Sequence, residues 1–241
     1  MDCKSIDLIQ AAAQLIDATR AAADYTLTSL SSEEGFDELE CLLRFDWLAQ
    51  KFRVLWFEKK TAEDRLRQLD PSILPFGPLE FEQLTQSIFY VITGRLYRQT
   101  SVTNDGGVDL IYERHLDWGA VDRYIVQCKL YRGYVPVSHV RDFFGTMTQQ
   151  VATGYFVTTG TMTKAAVEFI ASANKSPFAN RFHVVDLSRL RQLMEICEAL
   201  CTEFSDPGDE AEELHAEERL LLRKRGMAIL RACIPAQRSL F

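Results

Sequence analysis

The run Gly106-Gly107-Val108-Asp109, followed by Gln127-Cys128-Lys129, constrains this chain more than any other feature. Asn104-Asp105-Gly106-Gly107 is a strong turn signal, because Gly and Asn tolerate positive φ. Upstream, Leu96 to Val102 alternates loosely and is rich in β-formers; downstream, Val108 to Tyr112 reads as a second strand. Val121 to Tyr131 reads as a third. Tyr124, Val126, Cys128 and Leu130 fall on one of its faces, and Ile125, Gln127 and Lys129 on the other. The short polar stretch His115 to Ala120 predicts an antiparallel pair of strands. That pairing carries Asp109 toward Gln127 and Lys129, although 18 positions separate Asp109 from Gln127.

The three residue types suit one chemistry. An ionised Asp is a hard oxygen ligand for Mg²⁺, which keeps several waters and accepts phosphate oxygens. A Gln carboxamide oxygen can ligate with less charge. A Lys beside the metal can orient or deprotonate the attacking water, or stabilise the pentacovalent phosphate. A second carboxylate would strengthen such a site, and Glu82, in Pro78-Leu79-Glu80-Phe81-Glu82, is the best candidate. Pro78 suits the first turn of a helix and Gly94 its end, with Gln86 one turn beyond Glu82. Each residue also has a plainer reading: Asp109 satisfying turn amides, Lys129 as a solvated edge lysine, Glu82 as a capping or surface acid. Order and spacing together favour the site.

Phe81-Glu82, Gly106-Gly107-Val108-Asp109, Gln127-Cys128-Lys129 and Gly154-Tyr155-Phe156-Val157-Thr158-Thr159, in this order, resemble the Mrr-type branch of the PD-(D/E)xK nuclease superfamily. The resemblance covers roughly Pro78 to Met194. It implies an α/β, restriction-endonuclease-like core, a central mixed sheet flanked by helices. It implies Asp109 as the main metal ligand, Lys129 as the catalytic lysine and Glu82 as the helix-borne acid. Gln127 stands where many relatives carry Glu or Asp, and Val108 where the superfamily name has Pro. Mg²⁺ or Mn²⁺ would then be held by Glu82, Asp109, Gln127 and the Cys128 carbonyl, and cleavage would leave a 5′-phosphate. The expected element order is helix, three antiparallel strands, helix, strand, helix, strand. The Val157-to-Thr163 segment reads as a strand entering a helix, capped by Thr161 or Thr163, with a phosphate contact at that helix start as a further option.

A chain of 241 residues, 47% hydrophobic, can hold one large domain or one domain with appendages. No apolar run spans a bilayer and no signal segment is evident, so the expected location is cytoplasmic, away from membranes. Six scattered cysteines and four unclustered histidines predict reduced thiols and no zinc site. Cys197 and Cys201 read as core packing on a helix. The net charge of −7 is awkward for a DNA-binding enzyme, since phosphate binding is largely electrostatic. The acid lies in the flanks: net −5 over residues 1–78 and −4 over 195–241, against +2 over 79–194. Arg95, Arg98, Arg132, Arg141 and Lys164 are candidates to line a groove.

Three regions follow: a helical N-terminal extension (1–70), an Mrr-like nuclease domain (78–194) and a helical C-terminal extension (195–241). The first reads as a helical hairpin. Its second arm, Phe36 to Leu69, carries Leu39, Leu42, Leu43, Trp47, Leu48, Phe52, Leu55 and Trp56 at helical spacing, approached by Ser31 or Ser32 and ended by Asp70-Pro71. Residues 71–78 read as a stiff connector. An acidic break at 205–213 precedes a helix from Glu210 to Ala232, whose apolar stripe Gly226 interrupts and which carries Arg223-Lys224-Arg225. Neither flank resembles a helix-turn-helix reader or a zinc finger. The expected function is metal-dependent endonucleolytic cleavage of DNA, as the effector of a bacterial anti-phage or restriction system. A homo-oligomer or a protein partner in a defence complex, docking through the helical extensions, would supply recognition or activation. The alternatives are a catalytically weak nuclease-fold subunit used for assembly or DNA binding, and a nuclease acting on RNA or branched DNA.

Overall fold

The computed structural model describes residues 33–57, 76–100, 107–175, 181–201 and 216–231. The first arm of the N-terminal hairpin, the Ser31/Ser32 cap, the Asp70-Pro71 stop, most of the connector, the Asn104-Asp105-Gly106 turn and the acidic break lie outside the described residues.

The elements run α1 (Glu33–Trp56), α2 (Pro78–Thr93), β1 (Arg98–Gln99), β2 (Leu110–His115), β3 (Val121–Lys129), β4 (Tyr134–Val135), α3 (Val137–Gln149), β5 (Thr153–Thr158), β6 (Thr161–Met162), α4 (Lys164–Ala173), β7 (Phe182–Val185), α5 (Leu187–Cys201) and α6 (Ala216–Leu230). The expected core order is present, with the short parallel pair β4–β6 added beside it. The main sheet runs β1-β2-β3-β5-β7. β1, β2 and β3 are antiparallel, and β3, β5 and β7 parallel. It is a mixed sheet because β2 and β3 are a hairpin, closed at Asp117–Gly119, whereas α3 and α4 each return the chain for a parallel neighbour.

Strand alternation divides the interior in two. Leu110, Val126, Cys128, Tyr155, Val157 and Val185 face one cluster, covered by α1, α2, α5 and α6. Ile125, Phe156, Phe182 and Val184 face the other, covered by α3 and α4. β5 and β7 are buried on both faces and read as continuous apolar runs for that reason. Tyr97, Phe81, Phe89, Phe143 and Phe156 are among the largest fully buried side chains; burying each removes roughly 2–3 kcal/mol of apolar exposure.

Pro78 sits in the first turn of α2, the Glu80 carboxylate accepts the Gly77 N–H at 2.8 Å, and Gly94 closes the helix. Thr163, the second of the two candidates, caps α4 by accepting from the Ala166 N–H. β2 begins two residues later than Val108 and runs to His115; the Val108 carbonyl accepts from the Thr100 hydroxyl, and the Asp109 backbone bonds to Thr100 and Val126.

Both flanking helices join the nuclease core. Phe45, Leu48 and Phe52 of α1 are fully buried, and Phe52 lies 5.9 Å from Phe81 and 5.3 Å from Phe76, centroid to centroid. Lys51 pairs with Glu80 at 2.5 Å. The aromatic stripe of α1 is therefore core, apart from the partly exposed Trp47. In α6 the interrupting Gly226 has a use: a Cβ there would lie 2.6 Å from Ile92 Cδ1, so its absence lets α6 press against α2. Arg223, Lys224 and Arg225 are exposed. Cys197 is fully buried in α5, and burial pushes its thiol up.

His183 on β7 is buried beneath Tyr155, ring centroids 5.0 Å apart. Burial first, with the Arg231 guanidinium adding to it, lowers its pKa to about 4; a hydrogen bond to the Arg231 backbone opposes the shift. The folded state thus disfavours the proton. This contribution to stability is complete above the unfolded-state value near 6.5 and is lost as pH falls from there toward 4. Denaturant titrations at pH 7 and pH 5 should show the wild type losing on the order of 2 kcal/mol more than His183→Gln. Equal losses would mean that this imidazole is not the acid-sensitive group.

Candidate active site

The site lies where β2 begins and β3 ends. The Asp109 backbone N–H donates to Val126 O at 2.8 Å, and Asp109 O accepts from Thr100 N at 3.0 Å. Its carboxylate Oδ2 accepts the Cys128 N–H at 2.5 Å. Asp109 is thereby stitched to β1 on one side and β3 on the other, and the hairpin register Leu110↔Val126 sets its place.

Gln127 is 6% exposed. Its Nε2 donates to Gly107 O at 2.5 Å. Its Oε1 is buried with no hydrogen-bond partner. Leaving such an acceptor unsatisfied costs about 1–3 kcal/mol. The amide can approach because residue 107 is Gly: its φ is +80°, and an added Cβ would collide with Gln127 Nε2.

Lys129 is half-buried, and its backbone is held firmly. Its carbonyl accepts from Thr158 Oγ1 at 2.8 Å and from Thr159 N at 3.2 Å. Glu82 comes in on α2. The Cys128 thiol gauges how these groups are gathered. Burial pushes it well above its ordinary value, and the Asp109 and Glu82 carboxylates push it further the same way. A hydrogen bond with Thr85 and the Lys129 ammonium pull it back. Asp109, Glu82 and Lys129 therefore all act on one buried thiol.

Among the described residues, no three His, Cys, Asp or Glu side chains are close enough to hold a metal by themselves. A hard cation here needs the Gln127 amide oxygen and a backbone carbonyl as well as carboxylate. The buried Gln127 Oε1 has no hydrogen-bond partner and the adjoining Cys128 N–H binds the Asp109 carboxylate, a donor set of the kind a hard cation takes.

Three of the five cations expected to line a groove rest on aromatic rings. Arg95 lies over Tyr124 and Tyr112 at 4.9 and 5.4 Å, Arg132 over Trp56 at 5.0 Å and Arg141 over Phe169 at 5.5 Å. Lys164 lies 3.9 Å from Glu168, and Arg98 is exposed on the edge strand. The ring contacts fix where the three guanidinium groups sit while leaving them charged, and Arg98, Arg132, Arg141 and Lys164 are exposed.

Sequence reasoning missed three features. It took Gly107 for a turn former and not for the clearance beside Gln127. It quoted Thr158 and Thr159 as motif residues without their bonds to β3, which require the parallel register Lys129↔Thr158. It passed over Tyr131, whose hydroxyl lies 2.9 Å from His139 Nδ1.

A mixed sheet between two helical layers is the architecture of a restriction-endonuclease-like α/β core. A family model described as a restriction endonuclease, of the Mrr catalytic type, matches residues 73–194, half of the chain, and the chain belongs to that family. No curated protein and no solved structure matches it. Among the described residues, no helix is long and apolar enough to cross a membrane.

Proposed function

We propose that the chain is a Mg²⁺- or Mn²⁺-dependent endonuclease that hydrolyses DNA phosphodiester bonds. The observation that carries this reading is the buried Gln127 Oε1 without a hydrogen-bond partner, one residue before Cys128, whose N–H binds the Asp109 carboxylate. Asp109, Glu82, Gln127 Oε1 and the Cys128 carbonyl would hold the ion. When bound, it supplies positive charge to the phosphate and acidifies water. The Lys129 ammonium orients the attacking water and offsets charge on the phosphate. The Thr158 and Thr159 bonds to its carbonyl keep β3 from swinging away from β5. The Gly107–Gln127 bond fixes which way the amide oxygen turns.

The charge distribution supports a regulated effector in a defence or restriction system. A nuclease segment at only +2, between flanks at −5 and −4, holds DNA weakly unaided. α1 and α6 share the core of the nuclease, so an oligomer or partner seated on them is mechanically connected to the site. One feature favours the rival reading of a weak, assembly-type subunit: the neutral amide at 127 leaves fewer carboxylates around the ion. An assay on plasmid, linear, branched and single-stranded DNA and on RNA, with Mg²⁺ or Mn²⁺ and with EDTA, tests both. EDTA-sensitive cutting of DNA is expected. Inertness of the purified chain, alone and with its oligomeric or protein partners, on every DNA would favour the rival; cutting confined to RNA would replace the substrate.

A further inference from the structure

Two residues beyond Lys129, Tyr131 extends the row on which the site is built. Ile125 and Tyr131 both pack against the second core cluster, so alternation places Gln127 and Lys129 between them on the same side. Tyr131 is held tightly. Its N–H donates to Thr159 Oγ1 at 2.8 Å, and the same hydroxyl donates to the Tyr131 carbonyl at 2.8 Å. Its phenol oxygen lies 2.9 Å from His139 Nδ1. The two rings stack with centroids 5.8 Å apart and planes 26° from parallel. His139 belongs to the first turn of α3 and is half-buried, so its ring can exchange protons with water. β3 ends at Lys129, and Tyr131 follows two residues on, a step of at most roughly 7 Å along extended backbone and so the scale of one phosphate with a hydrogen-bonding group on either side.

We propose that Tyr131 is the proton donor to the departing 3′ oxygen and that His139 resupplies it, an inference that rests on the nuclease reading above. Water bonds to phosphorus as the P–O3′ bond breaks. The bonding pair goes to O3′, which takes the phenolic proton. The phenolate takes the proton from His139 Nδ1, and Nε2 takes one from solvent. The proton of the attacking water passes to bulk water, while the Lys129 ammonium stays protonated and orients the attacking oxygen. Nothing is oxidised or reduced, and water is the only co-reactant. Tyr131 acts on the leaving atom; His139 acts through Tyr131 and is a positioning and relay residue.

The test uses the full chain and a duplex oligonucleotide cut by the wild type at a mapped position. In a second duplex the bridging 3′ oxygen at that position is replaced by sulfur. A thiolate, with a pKa near 8.5, departs without a proton. Tyr131→Phe keeps the ring and removes only the hydroxyl. It should lower kcat on the oxygen linkage by about 10²-fold with KM unchanged, and cut the sulfur linkage at the wild-type rate. His139→Gln should show the same selectivity with a smaller loss. If wild type, alone or with its oligomeric or protein partners, cuts no DNA with Mg²⁺ or Mn²⁺, so that no such duplex can be found, the nuclease reading fails and this inference falls with it. If wild type cuts, and Tyr131→Phe keeps its rate or loses the same factor on both linkages, the nuclease stands and the proton-donor role is overturned.

Discussion

Asp109→Asn is expected to abolish metal-dependent cleavage, a loss of at least about 10³-fold or ~4 kcal/mol of transition-state stabilisation. The substitution isolates charge from structure. An Asn oxygen can still accept the Cys128 N–H that Asp109 Oδ2 accepts at 2.5 Å, and the backbone bonds to Val126 and Thr100 do not involve the side chain. The fold should therefore survive, with a melting temperature within about 3 °C of wild type. Lys129→Met, which keeps the aliphatic stem, should give a loss of similar size. The bonds that hold residue 129 are made to its carbonyl by Thr158 and Thr159, so they persist in that variant. Single-turnover cleavage of plasmid by purified variants, with melting curves alongside, is the measurement. Wild-type cutting by either variant would remove its residue from the mechanism.

Gly107→Ala should cost nearly as much without touching a ligand or the lysine. At φ +80° a side chain costs ~1–2 kcal/mol in backbone strain. The new Cβ would also occupy the place of Gln127 Nε2, so the amide must turn away and release its bond to Gly107 O. Misplacement of a site group by about 1 Å is enough for a 10²-fold loss of rate. Gly145→Ala in α3, where an added Cβ meets nothing within 4 Å, is the matched control and should be silent. Full activity in Gly107→Ala would show that the Gln127 orientation is irrelevant to turnover.

The parts of this fold that were legible in the chain are those written locally. Pro78 and Gly94 bracket α2, the polar turn before Val121 closes a hairpin, and alternation along β3 separates Gln127 and Lys129 from Cys128. The convergence of Asp109 with β3 follows from the hairpin register and was readable for that reason. What was not readable depends on contacts between distant segments. The Thr158 and Thr159 hydroxyls look like ordinary strand and cap residues until β5 is laid parallel to β3. The aromatic rings under Arg95, Arg132 and Arg141, each from another element, could not be read from the local sequence. Gly226 looks like a flaw in an amphipathic stripe until Ile92 is opposite it. Length and helical spacing marked the flanks as extensions, and only the packing of α1 shows Phe45, Leu48 and Phe52 buried against the nuclease core.

The packing of Phe52, stacked on Phe81 and edge-on to Phe76, has a practical corollary. Trimming the chain to the span that defines its family would cut through a floor, not along a seam. Such a fragment would show water the oily underside of the helix that bears Glu82, and would forfeit the Trp56 ring on which Arg132 rests. Silence from a shortened version would then report a collapsed support, and the intact polypeptide is the proper object for biochemistry.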